Sequence, residues 1–257
     1  MRLTLLRHAT LVIEIAGHRL MVDPMLDPVG ARAPVRGTPQ ERPNPLVPLP
    51  VTPEAAAEGV EAVLLTHTHV DHLDAAGVSA LLPSDPVWFC QPEDAEDLTS
   101  IGFTDVRPVP LGDPVAWEGL TLTRTGGRHG RDEAAVQGLG PVSGFVVEAA
   151  GEPTVYLAGD TVWCPEVERA ITDHSPAVIV VNAGGARFLQ GGTITMEADD
   201  VIAVGTAAPG AVVVATHMEA INHCLELRAD LAARVGAAGL GDRVRIPADG
   251  ESVTSPA

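Results

Sequence analysis

Apolar and polar positions alternate through the first 23 residues, over Leu3 to His8, Thr10 to Ala16 and Arg19 to Asp23, with Gly17 at a turn. A period of two interrupted at a glycine predicts an antiparallel β-meander. The pattern then fails. From Asp27 to Pro53 the chain carries Pro28, Pro34, Pro39, Pro43, Pro45, Pro48, Pro50 and Pro53. Proline fixes φ and lacks an amide hydrogen, so this density excludes helix interior and central strand. A long ordered loop is expected at about 27–53, either a surface excursion or a lid over a substrate.

Apolar runs resume at Val60 to Leu65, Val87 to Cys90, Leu120 to Arg124, Gly144 to Glu148, Thr154 to Ala158, Val178 to Val181, Val212 to Ala215 and Arg243 to Ile246, each of strand length. Helical spacing lies between them at Ala75 to Leu82, Glu93 to Thr99, Pro165 to Thr172, Ala198 to Thr206 and Leu225 to Val235. A meander followed by β-α alternation fits an α/β (α+β) chain of two mixed sheets packed face to face with helices outside. No repeat, charge block or Ser/Gly linker divides it, so residues 1–257 are expected to form one domain.

Composition narrows the chemistry. The 16 basic residues are all arginine, against 34 acidic ones, for a formal charge of −18. Without lysine there is no P-loop lysine, no Schiff-base lysine and no biotinyl attachment. The acidic balance also disfavours nucleic acid and anionic membrane as partners, both of which are bound by clustered positive charge. Cys90, Cys164 and Cys224 form no C-x-x-C pair and are expected as reduced thiols. Arg7, His8 and Glu14 interrupt any N-terminal signal core, and no run approaches the ~18 apolar residues of a membrane span. A cytoplasmic protein is expected.

The stretch after Val63-Leu64-Leu65 reads Thr66-His67-Thr68-His69-Val70-Asp71-His72-Leu73-Asp74. In extended backbone His67 and His69 share a side, and Asp71 and His72 are expected to open the following helix and turn back on the same point. Imidazole with carboxylate suits zinc, iron or manganese, and so many donors in one short loop suggest two adjacent ions. Further ligands are expected at other strand ends: His129 in Gly-Gly-Arg-His-Gly, Asp160 in Leu-Ala-Gly-Asp-Thr and His217 in Val-Ala-Thr-His-Met. For Asp160 the alternative is a cap on the helix near Pro165.

The His-x-His-x-Asp-His run with His129, Asp160 and His217 resembles the metallo-β-lactamase fold superfamily, over nearly the whole chain. The resemblance implies a four-layer αββα sandwich with a dinuclear site. It implies that His67, His69 and His129 hold the first metal, that Asp71, His72 and His217 hold the second, and that Asp160 bridges them. Arg7-His8-Ala9-Thr10 with Met21-Val22-Asp23-Pro24 is similar to the branch of ascorbate-6-phosphate lactonase-like hydrolases. The run from His217 to His223 and the segment Val181-Asn182-Ala183-Gly184 look like a bacterial subgroup near that lactonase.

The function expected is metal-dependent, lactonase-like hydrolysis of a small polar substrate, a lactone, ester, amide or phosphodiester, by a metal-bound hydroxide. Two divalent ions are the cofactor, with zinc expected and manganese or iron as alternatives. Asp71 is the expected proton acceptor and donor. Asp23 is a candidate partner for the far nitrogen of a ligating imidazole, and His8, Asp74 and Asn182 are candidates for similar service. Arg187 and His223 are candidates for the substrate pocket, and Trp163 and Cys164 for an apolar wall. His18 and His174 are expected at the surface. The alternatives are an iron-dependent oxygenase of the same fold and a nuclease or phosphodiesterase. The partner is a small molecule rather than nucleic acid or membrane, and a homo-oligomer is compatible with the sequence.

Overall fold

The computed structural model describes residues 1–254. The opening meander is β1 (Arg2–Arg7), β2 (Thr10–Ile15) and β3 (His18–Val22), paired antiparallel. Three parallel strands, β4 (Ala62–Leu64), β5 (Val87–Cys90) and β6 (Val106–Pro108), extend the same sheet. The second sheet repeats this plan. An antiparallel run of β7 (Pro114–Trp117), β8 (Leu120–Thr125), β9 (Gly144–Ala149) and β10 (Val155–Leu157) leads into parallel β11 (Val178–Asn182), β12 (Val212–Thr216) and β13 (Val244–Arg245). Finally β14 (Ser252–Thr254) returns to pair with β1, giving seven strands in each sheet.

The layers follow from which faces are apolar. Leu5, Ile13, Leu20 and Phe89 of the first sheet meet Leu122, Phe145, Leu157 and Val180 of the second in a shared core. The outer face of the first sheet packs on α1 (Pro53–Ala57), α2 (Ala75–Leu81) and α3 (Ala95–Ile101) through Val63, Trp88, Leu81 and Leu98. Beyond α4 (Glu133–Leu139), the outer face of the second sheet is covered by α5 (Pro165–His174), α6 (Ala198–Ala207) and α7 (Arg228–Ala237). Strands covered on both faces read as unbroken apolar runs, which is why Val178-Ile179-Val180-Val181 shows no alternation. This is the αββα sandwich expected. Among the described residues no helix is long and apolar enough to cross a membrane.

Five elements were not foreseen: β6, β7, β14, α1 and α4. The strands are short, and β6 and β7 each carry a proline; α4 has no buried residue and hence no apolar stripe. For α1 a signal existed, since Thr52 caps it by accepting from Ala55 N at 3.2 Å and Pro53 occupies the first turn.

The proline-rich segment between β3 and α1 pairs only at a single bridge, Arg32 with Asn44. Two buried side chains hold it. Arg7 donates from Nη2 to Met25 O and Asp27 O, both at 2.9 Å, and from Nη1 to Val47 O at 3.1 Å. Asn222, in the loop after β12, accepts from Val35 N at 2.9 Å and donates to Thr38 Oγ1 at 2.7 Å and to Gln40 O at 2.5 Å. The segment is therefore fastened across the ends of β1 and β12.

Candidate metal centre

Asp23 follows β3 at φ +46, beside the end of the parallel neighbour β4. Its carboxylate accepts from Thr66 N and Thr66 Oγ1, both at 2.8 Å, and from His72 Nδ1 at 2.7 Å. One buried acid thus fixes both the start of the His-rich loop and the far nitrogen of one of its rings. The loop closes by His72 N and Leu73 N donating to His69 O at 2.8 and 2.9 Å. Asp71 and His72 lie in this turn rather than in a helix, because α2 starts only at Ala75. Asp74 is its cap, accepting from Gly77 N at 2.8 Å and from Asp27 N at 2.7 Å. Its carboxylate is consumed by backbone donors and supports no imidazole.

The second sheet delivers the remaining donors at the ends of β8, β10, β11 and β12. Gly159, at φ +68, precedes Asp160; a Cβ there would stand 2.3 Å from Ser143 O, so only glycine lets β10 turn toward the cluster. Gly184 passes equally close to the His217 loop, where a Cβ would stand 2.1 Å from His217 O. His217 is itself at φ +66 and its N donates to His8 O at 2.8 Å, which ties the ends of β1 and β12 together.

Three groups of donors converge within 4.8 Å: His67, His69 and His129; His8, Asp71, His72 and His217; and His67, His72 and Asp160. Asp160 lies between the first two, 3.3 Å from His72 Nε2, 3.3 Å from His217 Nε2 and 3.7 Å from His129 Nε2. Asn182 donates to it at 2.7 Å and accepts in turn from Thr216 Oγ1 at 3.0 Å. The outward nitrogens are also occupied. His129 Nδ1 donates to Ile194 O at 2.8 Å, His69 Nε2 to Leu139 O at 3.0 Å, and His217 Nδ1 lies 3.5 Å from Cys224 Sγ. Inward, His72 Nε2 and His217 Nε2 are buried without a hydrogen-bond partner among the described residues. Unpaired nitrogens facing carboxylates, with their rings oriented from behind, are the donor set of a metal site.

The electrostatics agree. Burial pushes His67 and His217 well below the usual imidazole range, and neighbouring imidazoles reinforce this, so both are neutral at neutral pH and could each offer a lone pair. Burial would lower His72 too, but Asp160 and Asp23 outweigh it and hold it well above that range. Burial would raise Asp71 and Asp160; the surrounding histidines prevail and keep both well below the usual carboxylate range. The pocket is thus an anionic one that calls for a cation.

All seven residues matched to the motif are brought together, and His8 joins them, its ring 3.5 Å from that of His217 and its Nε2 3.3 Å from Asp71. Asp23 and Asn182 hold members of the cluster as described. Arg187 is not brought in: it is 41% exposed and its guanidinium lies 3.6 Å from Glu197, whose carboxylate stands at the start of α6. Trp163 and Cys164 pack under the helices of the second sheet, away from the cluster. Cys164, not Asp160, precedes α5 as its cap residue. His18 bonds to Glu61 at 3.0 Å, and it and His174 are half-buried, not fully exposed. Sequence reasoning missed Thr66, Cys224 and the carbonyls of Leu139 and Ile194. Backbone acceptors carry no residue-type signal, and only the fold brings them to a histidine.

A family profile described as "Beta-lactamase superfamily domain" matches residues 18–218. "UPF0173 protein YddR" of Bacillus subtilis (strain 168) is 38% identical over 256 residues, 99% of this chain and 100% of the relative. A possible metal-dependent hydrolase from Veillonella parvula DSM 2008 superposes with a TM-score of 0.94 at 34% identity, covering 99% of each chain. The isothiocyanate hydrolase from Delia radicum gut bacteria superposes with a TM-score of 0.92 at 38% identity, again covering 99% of each chain.

Proposed function

The chain belongs to the metallo-β-lactamase superfamily and, within it, to the UPF0173 metal-dependent hydrolases, and from that premise we propose that it hydrolyses isothiocyanates, uncharged electrophiles of the form R–N=C=S. In this reading His67, His69 and His129 would hold one divalent ion and Asp71, His72 and His217 a second, with Asp160 available to both sets. Zinc is the expected metal, with manganese and iron as alternatives. Bound there, the ions would supply an acidified water and a Lewis-acid contact for developing negative charge. Asp71, beside His8, is positioned to take up a proton. A cytoplasmic setting accompanies this reading, supported by Cys90, Cys164 and Cys224, all buried and unpaired.

The observation that carries the substrate is the employment of the arginines whose loops adjoin the cluster. Arg7 is spent on the carbonyls of Met25, Asp27 and Val47. Arg32 is spent on Asp27 and Val70 O, Arg128 on Glu133, Arg131 on Glu197 and Asp200, and Arg187 on Glu197. With no lysine in the chain, a phosphodiester or phosphorylated lactone would find these five guanidiniums already engaged, and the exposed Arg36 and Arg42 of the proline-rich segment are the cations left to meet it. A neutral carbon electrophile needs none. An apolar group of Met25, Ile194 and Ile221, with Val35, Leu139 and Phe188 against it, suits an alkyl or aralkyl R. The likeness to an isothiocyanate hydrolase over 99% of both chains supports the same class.

The overall reaction converts R–N=C=S and water to R–NH₂ and COS. A C–O bond forms at the central carbon, the C–N bond breaks, and both protons of water finish on nitrogen. The test is to incubate the metal-loaded protein with allyl and benzyl isothiocyanate and quantify the amine, with a γ-lactone and an aryl phosphodiester in parallel. Amine release that a chelator abolishes, with little turnover of the other two, is expected. Preferred hydrolysis of the lactone would overturn the isothiocyanate reading in favour of the lactonase-like branch.

A further inference from the structure

His223 is a buried histidine that the metal chemistry does not use. It is 5% exposed, and it belongs to none of the donor groups able to hold a metal. Its Nδ1 is sealed and unpartnered, and among the described residues no side chain or backbone group bonds to either ring nitrogen. Leaving a buried polar group unpaired is costly, so such a ring needs a reason.

Its placement is nonetheless fixed. The preceding residue, Asn222, is fastened to the proline-rich segment through Val35, Thr38, Gln40 and Asn44. His223 O accepts from Arg187 N at 3.1 Å. The ring stacks on Phe188 with centroids 6.3 Å apart and planes inclined by 29°. Phe188 belongs to the apolar group that also contains Ile194 and Leu139, whose carbonyls hold His129 and His69. His223 therefore packs on the apolar group whose Ile194 and Leu139 carbonyls hold two of the donor rings.

We propose that His223 is a catalytic residue, a neutral imidazole whose Nε2–H meets the substrate atom that gains negative charge as water adds to the central carbon. An N–H at the sealed Nδ1 would be an orphaned donor, so the proton belongs on Nε2. Burial lowers the ring below the usual imidazole range; the charges of Asp71 and Asp160 oppose this, and those of His72 and His69 add to it. A ring kept neutral polarises without transferring its proton, and it costs little reorganisation because Phe188 and the Asn222 anchor already hold it. The assignment rests on the hydrolytic reading above, in which addition to an N=C=S or C=O carbon drives an electron pair onto a heteroatom.

The experiment compares the metal-loaded wild type with His223→Ala and His223→Gln on allyl and benzyl isothiocyanate, a γ-lactone and an aryl ester, with metal content and melting temperature measured on each protein. The alanine variant is expected to lose about 10²–10³-fold in kcat with KM little changed, because the contact forms mainly in the transition state. The glutamine variant, which keeps a donor of similar reach, is expected to recover part of that loss. Metal content should equal that of the wild type in both. A kcat within threefold of wild type, or a loss matched by lost metal, would overturn the assignment. If the wild type works only on the lactone or the ester, the isothiocyanate reading falls and His223 is judged by the same criteria on that substrate. A wild type inactive on all four compounds overturns both.

Discussion

The donor cluster and the proline-rich segment, which is fastened across the same ends of β1 and β12, are built in opposite ways. The cluster sits at the ends of strands β4, β8, β10 and β12, and nearly every ring has a second partner, such as Asp23 behind His72, Ile194 O behind His129 and Leu139 O behind His69. The segment over residues 27–52 contains no helix or extended strand, and two buried side chains, Arg7 and Asn222, fasten it. Chemistry that tolerates little displacement rests on the rigid sheets. The strap is held by a few side-chain anchors that can change without disturbing the donors.

The largest effect should come from the cluster. His67→Ala or Asp160→Ala is expected to lower kcat/KM by at least about 10³-fold, the several kcal/mol that a bound metal supplies to the transition state. Elemental analysis should show lost metal while circular dichroism shows retained fold. Full activity in either variant would break the assignment of these residues as ligands. Asp23→Asn should have the next largest effect, about 10–100-fold in metal affinity, because the amide cannot accept from both Thr66 and His72 Nδ1.

Acid should act on the same region. His72 is held well above the usual imidazole range by Asp160 and Asp23, against burial, so the metal-stripped protein favours its protonated form. A metal ligand must be deprotonated, so loading is expected to release about one proton at pH 7. The release should fade as pH rises through the raised pKa, and affinity should weaken as pH falls. Calorimetry of metal binding in two buffers of different ionisation enthalpy reads the count. No net release at pH 7 would mean that His72 is not a protonated ligand in the metal-stripped protein.

The strap should respond differently. Asn222→Ala removes bonds to Val35, Thr38, Gln40 and Asn44 and leaves their buried partners unpaired, for a stability loss of about 1–3 kcal/mol. KM should rise while the metal content of the folded protein is unchanged. Lost metal in this variant would show that strap and cluster are one unit.

The two regions also differed in how much of them the sequence disclosed. Four donors within six positions, from His67 to His72, announce themselves by residue type, and His129, Asp160 and His217 follow from their places after apolar runs. The two-sheet architecture was legible because central strands such as Val178 to Asn182 are apolar throughout. What stayed hidden acts at long range or through the backbone. Nothing near Asn222 in the chain points to Val35, some 187 positions away, and the carbonyls behind His69 and His129 would be the same for any residue. Arg187 misled because a strand-end guanidinium has the right chemistry for an anion, and only the fold shows Glu197 in its reach.

Arg187 supplies the smallest expected effect and the sharpest comparison. Its guanidinium is half-exposed and paired at 3.6 Å, a surface ion pair worth about 0–1 kcal/mol. Its backbone N, which donates to His223 O, survives truncation. If the cleft serves an uncharged electrophile, Arg187→Ala should leave kcat and KM for benzyl isothiocyanate within about threefold of wild type, and stability within about 0.5 kcal/mol. If the cleft instead serves a phosphorylated substrate, the only role open to this side chain is to leave Glu197 and meet the anion, and its loss would raise KM sharply for that substrate alone. A large KM effect at Arg187 would thus move substrate recognition from the apolar wall to charge, and with it the division of labour between cluster and strap.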